Sequence, residues 1–427
     1  MNPSFPDNAM ARRPLLQRLD VESIVVFRAL HPGDMLCAVP ALLALRAALP
    51  SAHIALAGLP WAAQLVRRFS ACLDEFLPFP GHPLLPGQPA RHDELTAFYA
   101  AVCARQFSLA VQLHGSGDAI NHIVTGFGAG AMAGHCCGAP VATECTVLAP
   151  YPDTGAEPER LLQLTTRIGA PPAGTHLEFP LLRQDEDELA ASGLADDLEP
   201  DGYICIDPGA RRRDKFWPLE CFAGVADRLA DEFGLRIVLT GSSAETSLAQ
   251  AVAEHMRTPA VIATAPIPIG TMAALMSRSR LLLCNDSGVS HVAAGLGLNS
   301  VVVFSKADIA RRAPLDRLRH RCIWDPGAER AAVVLHHART LLAGIAPSGQ
   351  RRSGCGLTGE HRWRANIGMK TSAPLATVGC KGRTRRRRDQ IRQMTVGEHP
   401  IRRFPTRCRA PASRPAQRGP AWRLASV

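Results

Sequence analysis

The sequence predicts an α/β protein of two parallel-sheet domains, and three observations carry that prediction. Short β-branched runs recur along the first 345 residues, each is followed by a turn and a helix-like stretch, and a Pro- and acid-rich stretch splits the series into two blocks. With 427 residues, 46% of them apolar, the chain is long enough to fill two cores of ordinary size and still carry a tail.

The first block opens with Ile24-Val25-Val26-Phe27, a strand ended by a loop containing Pro32 and Gly33, and Met35 to Leu49 then has helical apolar spacing. The theme returns at Ile54 to Ala57 with Trp61 to Phe69, and at Leu109 to Leu113 before a Gly-containing segment. Pro171 to Asp201 reads as the connection between domains, at the hinge of a cleft. The second block predicts strands at Tyr203 to Ile206, Arg236 to Leu239, Val261-Ile262, Leu281 to Cys284 and Val301 to Phe304. Helices are predicted at Glu220 to Phe233, Ala244 to Met256, Thr271 to Ser277 and Val289 to Leu296, with Glu329 to Leu342 closing the domain. The resulting boundaries are an N-terminal extension over 1–20, a first domain over 21–180, a connection over 181–200, a second domain over 201–345 and a tail over 346–427.

That tail holds 19 of the 48 Lys and Arg residues against three acids, and its Arg, Pro, Gly and Ser content predicts disorder. The net charge of +10 is therefore local: the first 345 residues hold 29 basic and 35 acidic residues, which argues against a nucleic-acid-binding body. The thirteen cysteines lack C-x-x-C spacing and read as the reduced thiols of a cytoplasmic protein. No apolar run has the length of a signal peptide or membrane span, so neither is expected.

In facing α/β domains ligands bind at the carboxyl ends of the strands, which singles out three loops. The first is Arg28-Ala-Leu-His-Pro-Gly33-Asp34, where Asp34 suits either a base at the cleft mouth or a helix N-cap. The second runs from Asp207-Pro-Gly-Ala210 through Arg211-Arg-Arg-Asp-Lys215-Phe-Trp217-Pro218, a cationic loop that suits a diphosphate or is simply solvated. The third is Asn285-Asp286-Ser287-Gly288-Val289-Ser290-His291, whose small residues and helix start fit a phosphate, while His291 reads equally as a packed helix residue. The combination of this turn with the cationic loop on the same sheet favours the phosphate reading over either taken singly.

Other signals are weaker. Asp185-Glu186-Asp187 matches a D-x-D metal pattern but is better read as an acidic first helical turn. Gly128-Ala-Gly130-Ala-Met-Ala133 fits a loose dinucleotide pattern without the preceding strand or following acid, and is rejected as an NAD site. No P-loop, H-E-x-x-H or G-x-S-x-G stretch is present, which lowers the case for nucleotide hydrolysis, zinc proteolysis and serine hydrolysis.

Taken together, the three loops resemble glycosyltransferase family 9, the ADP-heptose:lipopolysaccharide heptosyltransferases, over about residues 22–345. The resemblance rests on Arg28, Gly33-Asp34 and Pro40-Ala-Leu42, on Pro208-Gly-Ala210 with Lys215-Phe-Trp217-Pro218, and on Asn285-Asp286-Ser287-Gly288 with His291 and Ala293-Ala294. It implies a GT-B architecture, two Rossmann-like domains facing a cleft, and an inverting sugar transfer needing neither metal nor other cofactor. It also implies Asp34 as general base, Lys215 as stabiliser of the leaving nucleoside diphosphate, and Asp286, Ser287, Gly288, His291 and Glu245 as donor-binding residues. Arg28 and Gly33 fall on the acceptor side, and Gln112, His114 and Ser116, after another first-domain strand, suit either the acceptor or a turn with no ligand.

The implied partners are a nucleotide sugar and a glycolipid acceptor met at the cytoplasmic face of the inner membrane, which the tail's basic residues would favour. Where the family continues Gly-Pro-Thr after its fifth strand, this chain reads Ser305-Lys306-Ala307. Two alternatives remain open at this stage: a nucleotide-sugar epimerase of the same fold, and a nucleic-acid-binding protein acting through the tail.

Overall fold

The computed structural model describes residues 13–85 and 92–344. The tail over 346–427, expected to be disordered, and most of the N-terminal extension lie outside the described residues.

The first sheet is built from β1 (Ser23–Phe27), α1 (Pro32–Leu36), α2 (Val39–Ala48), β2 (His53–Gly58), α3 (Ala63–Arg68), β3 (Glu75–Pro78), α4 (His92–Ala104), β4 (Leu109–Gln112), α5 (Asp118–Thr125), β5 (Ala131–Cys136), β6 (Val141–Ala142), β7 (Thr146–Pro150) and α6 (Glu157–Ile168). Its strand order is β3-β2-β1-β4-β5-β7-β6, parallel throughout except for the antiparallel β6–β7 pair. The second comprises α7 (Arg183–Ser192), β8 (Tyr203–Asp207), α8 (Leu219–Phe233), β9 (Arg236–Thr240), α9 (Thr246–His255), β10 (Ala260–Ala263), α10 (Ile269–Ser277), β11 (Leu282–Asn285), α11 (Gly288–Leu296), β12 (Ser300–Phe304), α12 (Ile309–Arg312), β13 (His320–Trp324) and α13 (Ala331–Ala343). Its order is β10-β9-β8-β11-β12-β13, all parallel.

Strands covered on both faces must be apolar along their whole length, which is why β8 and β12 read as unbroken buried runs rather than as alternating ones. Both sheets reverse their winding beside the first strand, between β1 and β4 and between β8 and β11. In such sheets the crevice beyond that reversal is where ligands bind.

Three apolar cores result. One lies on the far face of the first sheet around Phe27, Phe79 and Phe127, and another on the far face of the second around Trp217, Phe222 and Leu239. The third is shared: it runs from Leu15, Ile24 and Leu42 through Phe179 and Leu189 to Leu275, Val292 and Phe304. Within the segment expected as a connection, α7 packs against α10. The segment from Gly128 to Ala133 leads into β5 instead of following a strand, so its glycines do not form a strand-to-helix turn.

Candidate functional site

The first loop leaves β1 at Arg28, whose guanidinium is wholly buried. It turns back on its own chain, donating through Nε and Nη2 to the Asp34 carbonyl at 2.8 and 2.6 Å and through Nη1 to the Leu113 carbonyl. Arg28 thus fastens the α1 turn to the end of β4. Pro32 at the start of α1 supplies a φ already suited to a helix. Asp34 falls inside α1 and His31 occupies the N-cap, so the N-cap reading of Asp34 gives way. Its half-buried carboxylate instead reaches across the cleft, Oδ1 accepting from Arg312 Nη1 at 2.5 Å. Burial pushes the Asp34 carboxyl up, but Arg312 and Arg28 outweigh it and hold the group below its usual range.

Gln112 and His114 stand at the same reversal, one strand over. The Gln112 amide is used within its own turn: Nε2 donates to the Gly115 carbonyl at 2.7 Å, and Oε1 accepts from the His114 N–H at 3.0 Å. His114 Nδ1 accepts from the Ala29 N–H at 3.1 Å, and its ring stacks on Phe27. Burial, helped by Arg28, brings the imidazole down to about 4, so it stays neutral and holds the two loops together.

The other reversal gathers the second and third loops. Asn285, buried at the end of β11, donates from Nδ2 to the Pro208 carbonyl at 2.7 Å and accepts the Trp217 N–H on Oδ1 at 3.0 Å. One side chain therefore pins both ends of the cationic loop. Trp217 secures the far end, buried against Phe222 with Nε1 donating to Asp325 at 2.9 Å. Between those pins Lys215 is delivered to Asp286, Nζ to Oδ2 at 2.6 Å. Arg212 is drawn aside by Asp214.

Ser287 caps α11, yet its Oγ is buried with no hydrogen-bond partner. A buried hydroxyl without a partner is costly unless a ligand meets it. Beside it lie the first-turn N–H groups that a helix leaves unpaired, so an anion here meets a hydroxyl, backbone donors and the Lys215 ammonium.

Glu245 lies at the next strand end. Its Oε2 accepts from the Ser242 N–H at 2.8 Å and hydroxyl at 2.6 Å, and its Oε1 is close enough to Gly209 that a Cβ there would overlap it. Asp207 is the neighbouring acid; burial first, and Glu245 second, raise its carboxyl to about 8.

The two halves of the site touch. A Cβ on Gly33 would lie 2.8 Å from Gly288 Cα and 2.9 Å from His291 Cδ2. His291 is buried, its Nδ1 is 3.9 Å from Cys37 Sγ, and burial lowers its basicity against the pull of Asp34 and Asp286. The structure thus brings Gly33, next to Asp34, against Gly288 and His291, with Ser287 and Asp286 just before Gly288 in the chain and Lys215 joined to Asp286 by its ion pair. Gln112 and His114 support the first loop from behind.

Four further residues meet at this place although none lies in the three loops that the sequence singles out. Tyr151 donates to Glu157 Oε2 at 2.9 Å, and the same oxygen accepts from Arg311 Nε at 2.9 Å. Arg312 completes the set. Adjacent arginines beyond a strand end at the cleft were the clue; Glu157 reads only as an acid in a first helical turn.

The D-x-D carboxylates point elsewhere. Asp185 makes a buried two-pronged pair with Arg68 at 2.6 and 2.9 Å, Glu186 meets Arg278, and Asp187 lies 3.7 Å from Arg183. Among the described residues no group of three or more His, Cys, Asp or Glu is placed to hold a metal, and no helix is long and apolar enough to cross a membrane.

Comparison with known proteins agrees with this fold. Residues 161–333 match the model of glycosyltransferase family 9 (heptosyltransferase). The chain is similar to the crystal structure of a glycosyl transferase family 9 protein from Veillonella parvula DSM 2008, with a TM-score of 0.67 and 21% identity over 77% of this chain and 99% of that one. It is also similar to E. coli ADP-heptose lps heptosyltransferase II, with a TM-score of 0.59 and 19% identity over 75% of this chain and 98% of that one. E. coli heptosyltransferase WaaC with ADP gives a TM-score of 0.57 and 18% identity over 75% and 99% of the respective chains. No curated protein matches the sequence. The architecture is GT-B, two Rossmann-like parallel-sheet domains.

Proposed function

We propose that this chain, a glycosyltransferase by its match to family 9, moves a sugar with inversion from a nucleoside-diphosphate donor to a hydroxyl of a lipopolysaccharide-core or related glycolipid. Heptose carried on ADP is the donor that the family resemblance favours. The observation that carries the reading is the meeting of Gly33 with Gly288, which sets Asp34 beside the anion-ready start of α11.

In this reading Asp286, Ser287, Gly288 and His291 receive the donor, its diphosphate lying against the α11 N–H groups and the Ser287 hydroxyl. Glu245 takes the nucleoside end. Asp34 removes the proton from the acceptor hydroxyl, whose oxygen attacks the anomeric carbon from the face opposite the diphosphate. The anomeric C–O bond breaks and its electrons pass to the diphosphate, where Lys215 and the helix donors meet the growing charge. Protein cations and N–H dipoles thus stand in for a divalent metal, and no cofactor takes part. The acceptor would be met at the cytoplasmic face of the inner membrane, with the protein held there peripherally.

Thermal unfolding of the full chain with ADP, UDP, GDP and their sugar conjugates tests the reading, because a ligand that binds only the folded state raises the midpoint. A shift with ADP species that vanishes in Lys215→Ala is expected, followed by ADP release only when a glycolipid acceptor is added. A preference for UDP or GDP would replace the sugar. Conversion of the donor without any acceptor would replace transfer with epimerisation, and no shift with any nucleotide would overturn the reading.

A further inference from the structure

Helix α12 is only four residues long, and it is held within the second domain: Asp308 accepts the Ala310 N–H at 2.8 Å, and Arg317 donates to the Ile309 carbonyl at 3.2 Å. Both of its last two side chains nevertheless enter the first domain. Arg311 donates from Nε to Glu157 and from Nη2 to the Tyr151 hydroxyl at 3.2 Å, and it lies 5.4 Å from that ring's centre. Arg312 takes Asp34 Oδ1.

Beneath them Arg28 holds the Asp34 main chain and approaches Glu157 Oε1 at 3.7 Å. Arg312, Asp34, Arg28, Glu157 and Arg311 are thus linked in turn, Arg28 through the Asp34 main chain and the two last arginines as chain neighbours, with both carboxylates in the first domain and two of the three guanidiniums in the second.

We propose that Arg312 is a positioning residue for Asp34, supplied across the cleft by the second domain and anchored through Arg311 on Glu157 and Tyr151. The proposal rests on the reading of Asp34 as the group that takes the acceptor's proton. With Oδ1 occupied, the carboxylate has a fixed rotamer and presents Oδ2 to an incoming hydroxyl. The contact exists only while the domains are together, so the base is oriented in the same state that brings α11 and its bound donor alongside.

Other charged and titratable groups facing Asp34 are Arg28 from β1's end, His291 from α11, His31 and Cys37 beside α1, and His114 beyond β4. Arg312 and Arg28 come first among the charges acting on Asp34, ahead of His291, whose basicity burial lowers as it does that of His114. Removing Arg312 should therefore raise the Asp34 pKa even with Arg28 in place.

The test uses the full chain with carboxyl-13C aspartate, the Asp34 signal being assigned by its loss in Asp34→Asn. In Arg312→Gln the Asp34 titration is expected to move to higher pH, and in Arg312→Lys to return most of the way. In transfer assays the acidic limb of kcat/KM should move with it. The turnover should fall by roughly ten- to a hundredfold in the Gln variant, the scale of a misplaced reacting group, while the nucleotide-induced midpoint shift is unchanged.

An Asp34 titration identical in wild type and Arg312→Gln, both folded by their unliganded midpoints, would overturn the pair itself. A titration that moves while Asp34→Asn retains full transfer would remove Asp34 from the chemistry, and with it the role of Arg312. If Arg312→Gln fails to fold, Arg312→Met, which also removes the charge and keeps an unbranched side chain, gives the same comparison against wild type.

Discussion

A Cβ placed on Gly33 would lie 2.8 Å from the Cα of Gly288, although one glycine lies in α1 of the first domain and the other opens α11 of the second. Any residue with a Cβ at position 33 would have to move backbone to fit this gap. Neither glycine has a left-handed φ, so the requirement is one of space and not of conformation.

Gly33→Ala should therefore part the two loops while leaving each sheet intact. Overpacking of this kind costs about 1–3 kcal/mol, to be read from the urea midpoint of the unliganded protein. The nucleotide-induced midpoint shift should persist, because Lys215, Asp286 and Ser287 all lie in the second domain, whereas transfer should fall severely. Wild-type turnover in Gly33→Ala would show that the close approach is incidental.

Asp207 supplies a pH signature. Its carboxyl is raised to about 8 in the folded protein by burial and Glu245, from an unfolded value near that of a free aspartate. Between those values the folded state holds a proton that the unfolded state has lost. Stability is then highest below about pH 4, falls as pH rises towards 8, and levels off above it, with a slope of at most about 1.4 kcal/mol per pH unit. Asp207→Asn should flatten that part of the stability profile measured by urea unfolding from pH 4 to 9. An unchanged slope would place the proton on another group.

Arg68 and Asp185 form a nearly inaccessible pair between α3 and α7, with Arg68 also 4.4 Å above the Phe179 ring. Asp185→Asn leaves the guanidinium buried without its counter-charge, a loss of about 3–5 kcal/mol, visible as a lowered unfolding midpoint. EDTA should leave both this midpoint and the transfer rate of the wild type unchanged. Stabilisation by magnesium or manganese in wild type but not in Asp185→Asn would return the D-x-D stretch to metal binding.

What the sequence revealed follows from how local each signal is. The strands β1, β8 and β12 are compact β-branched runs, and the start of α11 is one continuous segment in which acid, hydroxyl, glycine and helix succeed one another. By contrast β5, Ala131-Met-Ala-Gly-His-Cys136, has no β-branched residue and contains a glycine that adds nothing to strand propensity. Helix α4 buries only Phe98 and Val102, too sparse a stripe to stand out as a period.

The site was legible where a strand end runs straight into its ligand-binding turn. It was illegible where function depends on a meeting of distant segments: Asp34 and Arg312 are 278 positions apart, and nothing near either residue announces the other. Asn285 lies between these cases. Its place in the third loop is plain in the sequence, while its task of pinning Pro208 and Trp217 emerges only when β8 and β11 lie side by side.

The apolar core that passes from Leu15 to Ala313 without a break has a consequence for how the protein is inherited and handled. Each sheet is contiguous in the chain, so a gene could in principle be cut between them, but this core draws on both parts, with Leu42, Leu164 and Phe179 in one and Leu275, Val292 and Phe304 in the other, and a cut would break it. Large apolar patches left open to water are aggregation liabilities. The halves are thereby bound to melt together and to diverge together, and a change of donor preference has to arise by substitution within the pair, not by exchange of one half for another.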